Sequence, residues 1–256
     1  MKLAQIAVYP VKSCAGLSLT EAELGALGIE GDRRYALADA HGNVVTQRDM
    51  PRLSLLRCAA RGGGLELSID GQSVRIEGGS FGPATVELRV WGRAYTALPA
   101  PAAISAALSR ALGSRLQLVR FDKLAERRGV PIAFADAAPV LVTNAATLAA
   151  VNRALAHPVA MERFRPNLVV EDAEAYAEDG WKFLEVGGAR LRVLHACGRC
   201  EVTTVVPARG EFGPPEILQY LSKARAPEGE PVFGVYCAVE NGAVLRPGDP
   251  VMVTSA

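Results

Sequence analysis

Between the N-terminus and about Val90 the chain is a succession of short segments in which apolar and polar residues alternate: LAQIAVYPV, RRYALAD, NVVTQ, LELSID, SVRIEG and TVELRVW. A period of two turns one face of each segment to a core and the other to solvent. Segments this short, broken by glycine-bearing turns, predict a small β-barrel or sandwich. The breaks at Ala40-His41-Gly42-Asn43 and Asp70-Gly71 read as hairpin turns, the second an Asp-Gly pair suited to type I′. Gly62-Gly63-Gly64 is short enough to be a further turn.

The period then changes. PAAISAALSRAL, ending at Leu112, carries Ala and Leu at helical spacing with Gly113 placed to cap its end. Pro139 to Val142 predicts a buried strand, and TNAATLAAVNRAL a helix capped by Thr143 or Asn144. Strands follow at NLVVE, RLRVLHA, VTTVVP, FGVYCAVE and PVMVT, with one more helix at PPEILQYLSKA. The fold class is mainly β with helical decoration (α+β). Strands do not alternate regularly with helices, and neither a G-x-G-x-x-G nor a Walker-type loop occurs, so nicotinamide and nucleoside triphosphate chemistry lose support.

With 256 residues, half of them hydrophobic, the chain can bury one large core or two modest ones. Its 28 Lys and Arg against 27 Asp and Glu leave no global field to steer it to nucleic acid or an anionic membrane. An anionic ligand must therefore be held by a local cluster. No window approaches the roughly 20 apolar residues of a membrane span and the N-terminus lacks a secretory pattern, which predicts a cytoplasmic protein. The five cysteines, Cys14, Cys58, Cys197, Cys200 and Cys237, are odd in number and scattered, so they are expected to be mostly reduced.

The densest chemical feature is His195-Ala196-Cys197-Gly198-Arg199-Cys200, at the end of the strand RLRVL. A thiol in a turn beside an arginine suits a soft metal. Three readings stay open: half of a zinc site lacking a second ligand pair, a redox dithiol, or two small buried hydrophobes at a strand end. Basic residues form a second feature: Lys12-Ser13 after Tyr9-Pro10, Asp32-Arg33-Arg34, and Arg163 and Arg165 in ERFRPN before Asn167. Were these segments to converge, arginine forks with a lysine and a hydroxyl would make an anion site.

Read in order, YPVKSCAG, GDRRYALAD with TQRDMPRL, FADAAPVLVTNAATLAAVN, RFRPNLVV, YAEDGW, CGRCEVTTV, PVFGVY and GDPVMV resemble the MOSC family, named for the C-terminal domain of molybdenum cofactor sulfurase. The likeness is to the branch containing the mitochondrial amidoxime-reducing component and its bacterial relatives, and it covers most of the chain. It implies an N-terminal MOSC β-barrel-like domain over residues 1–98, a helical connector over 99–121 and a MOSC β-barrel domain over 122–256, with a molybdenum-molybdopterin cofactor between them.

The family's metal-ligating cysteine falls on Cys200, and cofactor contacts on Lys12, Ser13, Arg33 and Arg165. Asp136, Gly198, Arg199 and Tyr236 carry over as further cofactor contacts, with Asp136 and Tyr236 also candidates for the chemistry beside Cys200. Relatives often have a hydroxyl residue and a serine where this chain has Ala137 and Gly198, so a side-chain hydrogen bond is expected to be missing at each. The family name also brings pyridoxal phosphate into consideration by association.

The resemblance implies a molybdenum-dependent oxidoreductase that reduces N-hydroxylated or related N- and S-oxide small molecules. No C-x-x-x-x-C-x-x-C spacing is present, so electrons must come from a separate donor: a cytochrome b5-like protein, a ferredoxin or a flavoprotein reductase. A carrier of the cofactor or of sulfur, using the same Cys200, is the other class of function, and a barrel that has lost its cofactor a third.

Overall fold

The computed structural model describes residues 1–61, 64–90, 92–122, 125–127 and 129–255. Gly62 and Gly63 of the expected glycine turn, and Trp91 at the end of TVELRVW, lie outside them. The described residues are mainly strand, decorated by three helices: α1 (Ala102–Leu112), α2 (Ala145–Arg153) and α3 (Glu216–Ala224). None of them is long and apolar enough to cross a membrane.

The largest sheet has eight strands, in the order Leu17–Leu19, Lys2–Val8, Leu168–Glu171, Val140–Asn144, Val232–Asn241, Ala189–Gly198, Trp181–Val186 and Val251–Ser255. The N-terminal strand thus lies among strands from the far end of the chain, antiparallel to Leu168–Glu171. What holds it there is apolar burial: Leu3, Ile6 and Val8 share one core with Val140, Val142, Leu168, Val170, Leu191 and Val235. Tyr35–Ala38, Gln117–Phe121, Arg93–Pro99 and Val86–Val90 form a four-stranded sheet, and Arg57–Arg61, Gly64–Ile69 and Gln72–Glu77 a three-stranded meander. Leu37, Leu53, Leu56, Leu67, Ile76 and Leu118 are fully or almost fully buried in a second core between them and α1.

Local signals shape the turns and caps. Asp70 (φ 49°) and Gly71 (φ 75°) both take the left-handed backbone that a type I′ hairpin needs. Gly113 (φ 68°) closes α1. The cap of α2 is Asn144 rather than Thr143, its side chain accepting from Ala146 N at 2.9 Å. The same amide donates to Glu174 O at 2.7 Å and to Glu178 Oε2 at 2.9 Å, tying the helix start to the segment that precedes Trp181. Asn144→Ala is therefore expected to cost roughly 2 kcal/mol, the upper end of N-cap losses. The denaturant midpoint at unchanged slope is the measurement that checks it.

One predicted strand is absent and another is cut to two residues. NVVTQ makes only isolated bridges, Val44 to Ala38 and Asn43 to Arg89, because the Asp49 carboxylate takes Thr46 N at 2.9 Å and Thr46 Oγ1 at 3.0 Å and folds the segment into a turn. In VTTVVP, residues Glu201–Thr204 form a 3-10 turn, with the Thr203 and Thr204 hydroxyls donating to the carbonyls of Cys200 (2.8 Å) and Glu201 (2.7 Å). Such local bonds compete with a ladder and win over the β preference of Val and Thr. Only Val205–Val206 pairs, with Glu211–Phe212.

Candidate functional site

The chain leaves its first strand at Tyr9 and Pro10, and Lys12 and Ser13 follow in a turn bridged to Tyr35 through Val11. Lys12 is buried, donating to Phe134 O at 2.9 Å and pairing with the Asp136 carboxylate. Burial works against the charge of Asp136, but the Lys12 ammonium, with Arg33 and Arg48 beyond it, holds the carboxyl well below the usual carboxylate range. Asp136 is thus an anion at any ordinary pH.

Arg33 stands beside this pair. It donates from Nη1 to the buried Asp32 carboxylate and to Asn167 Oδ1 (3.1 Å), and from Nη2 to Arg165 O (3.1 Å). Arg165 donates from Nη1 to Cys14 O at 2.6 Å. The Tyr9 ring lies under both guanidiniums, at 4.6 Å from Arg33 and 4.2 Å from Arg165. Ser13 (φ 65°), Arg33 (φ 48°) and Arg165 (φ 55°) all hold left-handed backbone without being glycine. Strain of this kind persists where surroundings fix it, and it collects at functional sites.

CGRC arrives from the opposite side, as the strand Ala189–Gly198 ends and Cys200 opens the 3-10 turn. The two thiols part here. Cys197 is fully buried and takes Arg199 Nη1 at 2.7 Å, whereas Cys200 is partly exposed and takes Arg48 Nη2 at 2.9 Å. Among the described residues no group of three or more His, Cys, Asp and Glu gathers to hold a metal ion. The zinc reading therefore finds no ligand set, and the dithiol reading has one sulfur sealed from solvent. Tyr236, in register with Leu141 on one side and His195 on the other, completes the wall. Burial pushes its hydroxyl pKa well above the ordinary value, helped by Cys197 and Asp136, so it keeps its proton.

One cavity of about 340 Å³ is lined by Lys12, Ser13, Arg33, Asp136, Arg165, Gly198, Arg199, Cys200 and Tyr236, every site residue expected from sequence, and by Ala137. Arg48, Thr46, Asn167, His195 and Glu230 line it too and were not among them. Arg48 was visible only as one basic residue of TQRDMPRL; its neighbours give it no feature that separates it from a surface arginine. Arg165 Nη2, Arg199 Nε and His195 Nε2 are buried with no hydrogen-bond partner among the described residues. Orphaned polar atoms around one cavity mark a place where a polar ligand completes the bonding.

Residues 130–252 match the family described as MOSC domain, and residues 1–115 match the MOSC N-terminal beta barrel domain. The chain is 32% identical to mitochondrial amidoxime-reducing component 1 of Xenopus laevis, over 97% of its own length and 81% of that protein. Its identity to the human protein of that name is 32% (97% and 82% covered), and to the mouse protein 33% (97% and 81%). The chain belongs to the MOSC family. In this MOSC protein the cavity draws on both matched regions, with Lys12, Ser13, Arg33 and Arg48 from the first and Asp136, Arg165, Cys200 and Tyr236 from the second. Pyridoxal phosphate gains nothing from the site: Lys12, the one lysine among the described residues that lines the cavity, is buried against Asp136 and Phe134 O.

Proposed function

We propose that this MOSC protein is a molybdenum-cofactor-dependent reductase of small N-hydroxylated or related N- and S-oxide molecules. The observation that carries the proposal is a partly exposed thiol, Cys200, standing in a cavity rimmed by guanidinium and ammonium groups, two of the arginines with orphaned nitrogens. Since the described residues offer no ligand cluster of their own, a metal there must bring most of its donors with it. A dithiolene-bearing pterin does so and leaves a place for one soft protein thiolate. Cys200 is the ligand in this reading, and Lys12, Ser13, Arg33 and Arg165 hold the anionic and polar parts of the group. The amidoxime-reducing component named among the relatives supports the same chemistry.

When bound, the cofactor supplies two-electron chemistry at oxygen. In the net reaction the N–O bond of an amidoxime breaks, two electrons and two protons are taken up, and the products are an amidine and water. The chain's own groups orient and protonate. Asp136 is placed to accept hydrogen bonds as an anion, and the Tyr236 hydroxyl holds a proton beside it. Among the described residues no group of cysteines gathers to hold an iron–sulfur cluster, and in this reading electrons come from a separate protein of the cytochrome b5, ferredoxin or flavoprotein class.

Protein made in a host that supplies the cofactor is expected to convert benzamidoxime to benzamidine with a strong chemical reductant. Absence of turnover at full molybdenum loading, with release of cofactor to an apo-enzyme, is the result a carrier gives and a reductase does not.

A further inference from the structure

A Cβ added at Gly198 meets the carboxylate of Glu230, the far end of an exposed, flexible side chain, so a side chain there displaces that carboxylate. The two segments are locked together next to this point, Arg199 N donating to Pro231 O at 2.7 Å. A carboxylate therefore occupies, two residues before Cys200, the space that a residue larger than glycine at 198 fills with its own side chain. We propose that Glu230 sets the substrate class of the cavity by binding the amino nitrogen of amidoximes and N-hydroxyguanidines, together with the cationic amidine or guanidine they become. The proposal rests on the reductase reading above.

Charge is the argument. Among the described residues two carboxylates line the cavity. Asp136 is held by Lys12, whereas among the described residues the carboxylate of Glu230 makes no hydrogen bond or ion pair. The other charged groups lining the cavity are basic: Lys12, Arg33, Arg48, Arg163, Arg165 and Arg199. They complement an anionic cofactor and leave Glu230, on the Cys200 side, as the group that complements the opposite charge. An amidinium presents a planar pair of N–H donors on a cation, the geometry that a carboxylate accepts best. The amidoxime brings the amino group that becomes one arm of this pair, whereas tertiary N-oxides and S-oxides bring no N–H donor, so Glu230 favours amidoximes over them.

The test is titration calorimetry with benzamidine and its neutral isostere benzamide, on full-length protein loaded with cofactor. Glu230→Gln is expected to weaken benzamidine about fivefold, the scale of a solvent-reached ion pair, and to leave benzamide unchanged. Gly198→Ser, which removes no charge but pushes the carboxylate out of its place, is expected to weaken benzamidine in the same direction. Equal benzamidine affinity in wild type and Glu230→Gln overturns the proposal. Glu230-dependent benzamidine binding in a protein that reduces no amidoxime upholds the recognition site and defeats the reductase reading instead.

Discussion

Replacing Cys200 with serine is expected to lower the molybdenum content of purified protein at least tenfold while leaving the fold intact. A hydroxyl is a hard, weakly acidic donor and does not stand in for a thiolate on a soft metal. The sulfur is partly exposed at the mouth of a turn, so its replacement leaves no cavity in the core and little stability is lost. Cys197 supplies the control. It is fully buried and bonded by Arg199, so Cys197→Ser lowers the melting temperature but leaves the metal in place. Arg48→Met is the intermediate case: the ligand remains, but its guanidinium donor, 2.9 Å from the sulfur, is gone. Loss of a group that orients a metal ligand typically costs about tenfold or more in metal affinity. Elemental analysis of the three variants beside the native chain decides the matter. Equal molybdenum in native protein and Cys200→Ser takes Cys200 out of the ligand role.

What the sequence displayed and what it hid follow one physical division. Features closed within a few residues were legible: the Asp70-Gly71 turn, the Gly113 cap, the three helices and the alternation of Leu65 to Ile69. Features decided by side chains reaching across the fold were not. Val and Thr in NVVTQ and VTTVVP carry β preference, yet Asp49 and the Thr203 and Thr204 hydroxyls offered the backbone nearer partners. That Lys2–Val8 pairs with Leu168–Glu171 is a fact of topology no local pattern encodes. Lys12, Arg33, Arg165 and Cys200 were named through likeness to a family, since each alone reads as a surface charge or a packed thiol. Arg48 lay inside TQRDMPRL, one of the segments that carry that likeness, yet was given no role, and Glu230 lay in none of them. Their roles appear only once residues 48 and 230 stand beside 200 and 198. The left-handed backbone at Ser13, Arg33 and Arg165 was equally invisible, because those residue types do not advertise it.

Asn167→Ala is expected to destabilise the protein more than any other single change at the site, by about 4 kcal/mol. Its side chain is almost wholly buried and joins three parts of the chain. Oδ1 accepts from Leu141 N and from Arg33 Nη1, both at 3.1 Å, and Nδ2 donates to Ala7 O at 3.2 Å. The backbone adds Ala7 N to Asn167 O and Asn167 N to Leu141 O, each 2.8 Å. Alanine keeps the backbone pair and withdraws the rest. A buried N–H, a buried carbonyl and one arm of a guanidinium each lose a partner, at about 1–3 kcal/mol for every group left short. Summed, this corresponds to a fall of roughly 10 °C in melting temperature for a chain of this size. A drop of less than about 2 °C for the alanine variant in the metal-free protein contradicts the assignment of Asn167 as the joint. The consequence reaches the cavity, because the same Oδ1 steadies Arg33 against Asp32 and Arg165 O. Cofactor retention is therefore expected to fall together with stability in Asn167→Ala, and to fall without it in Cys200→Ser.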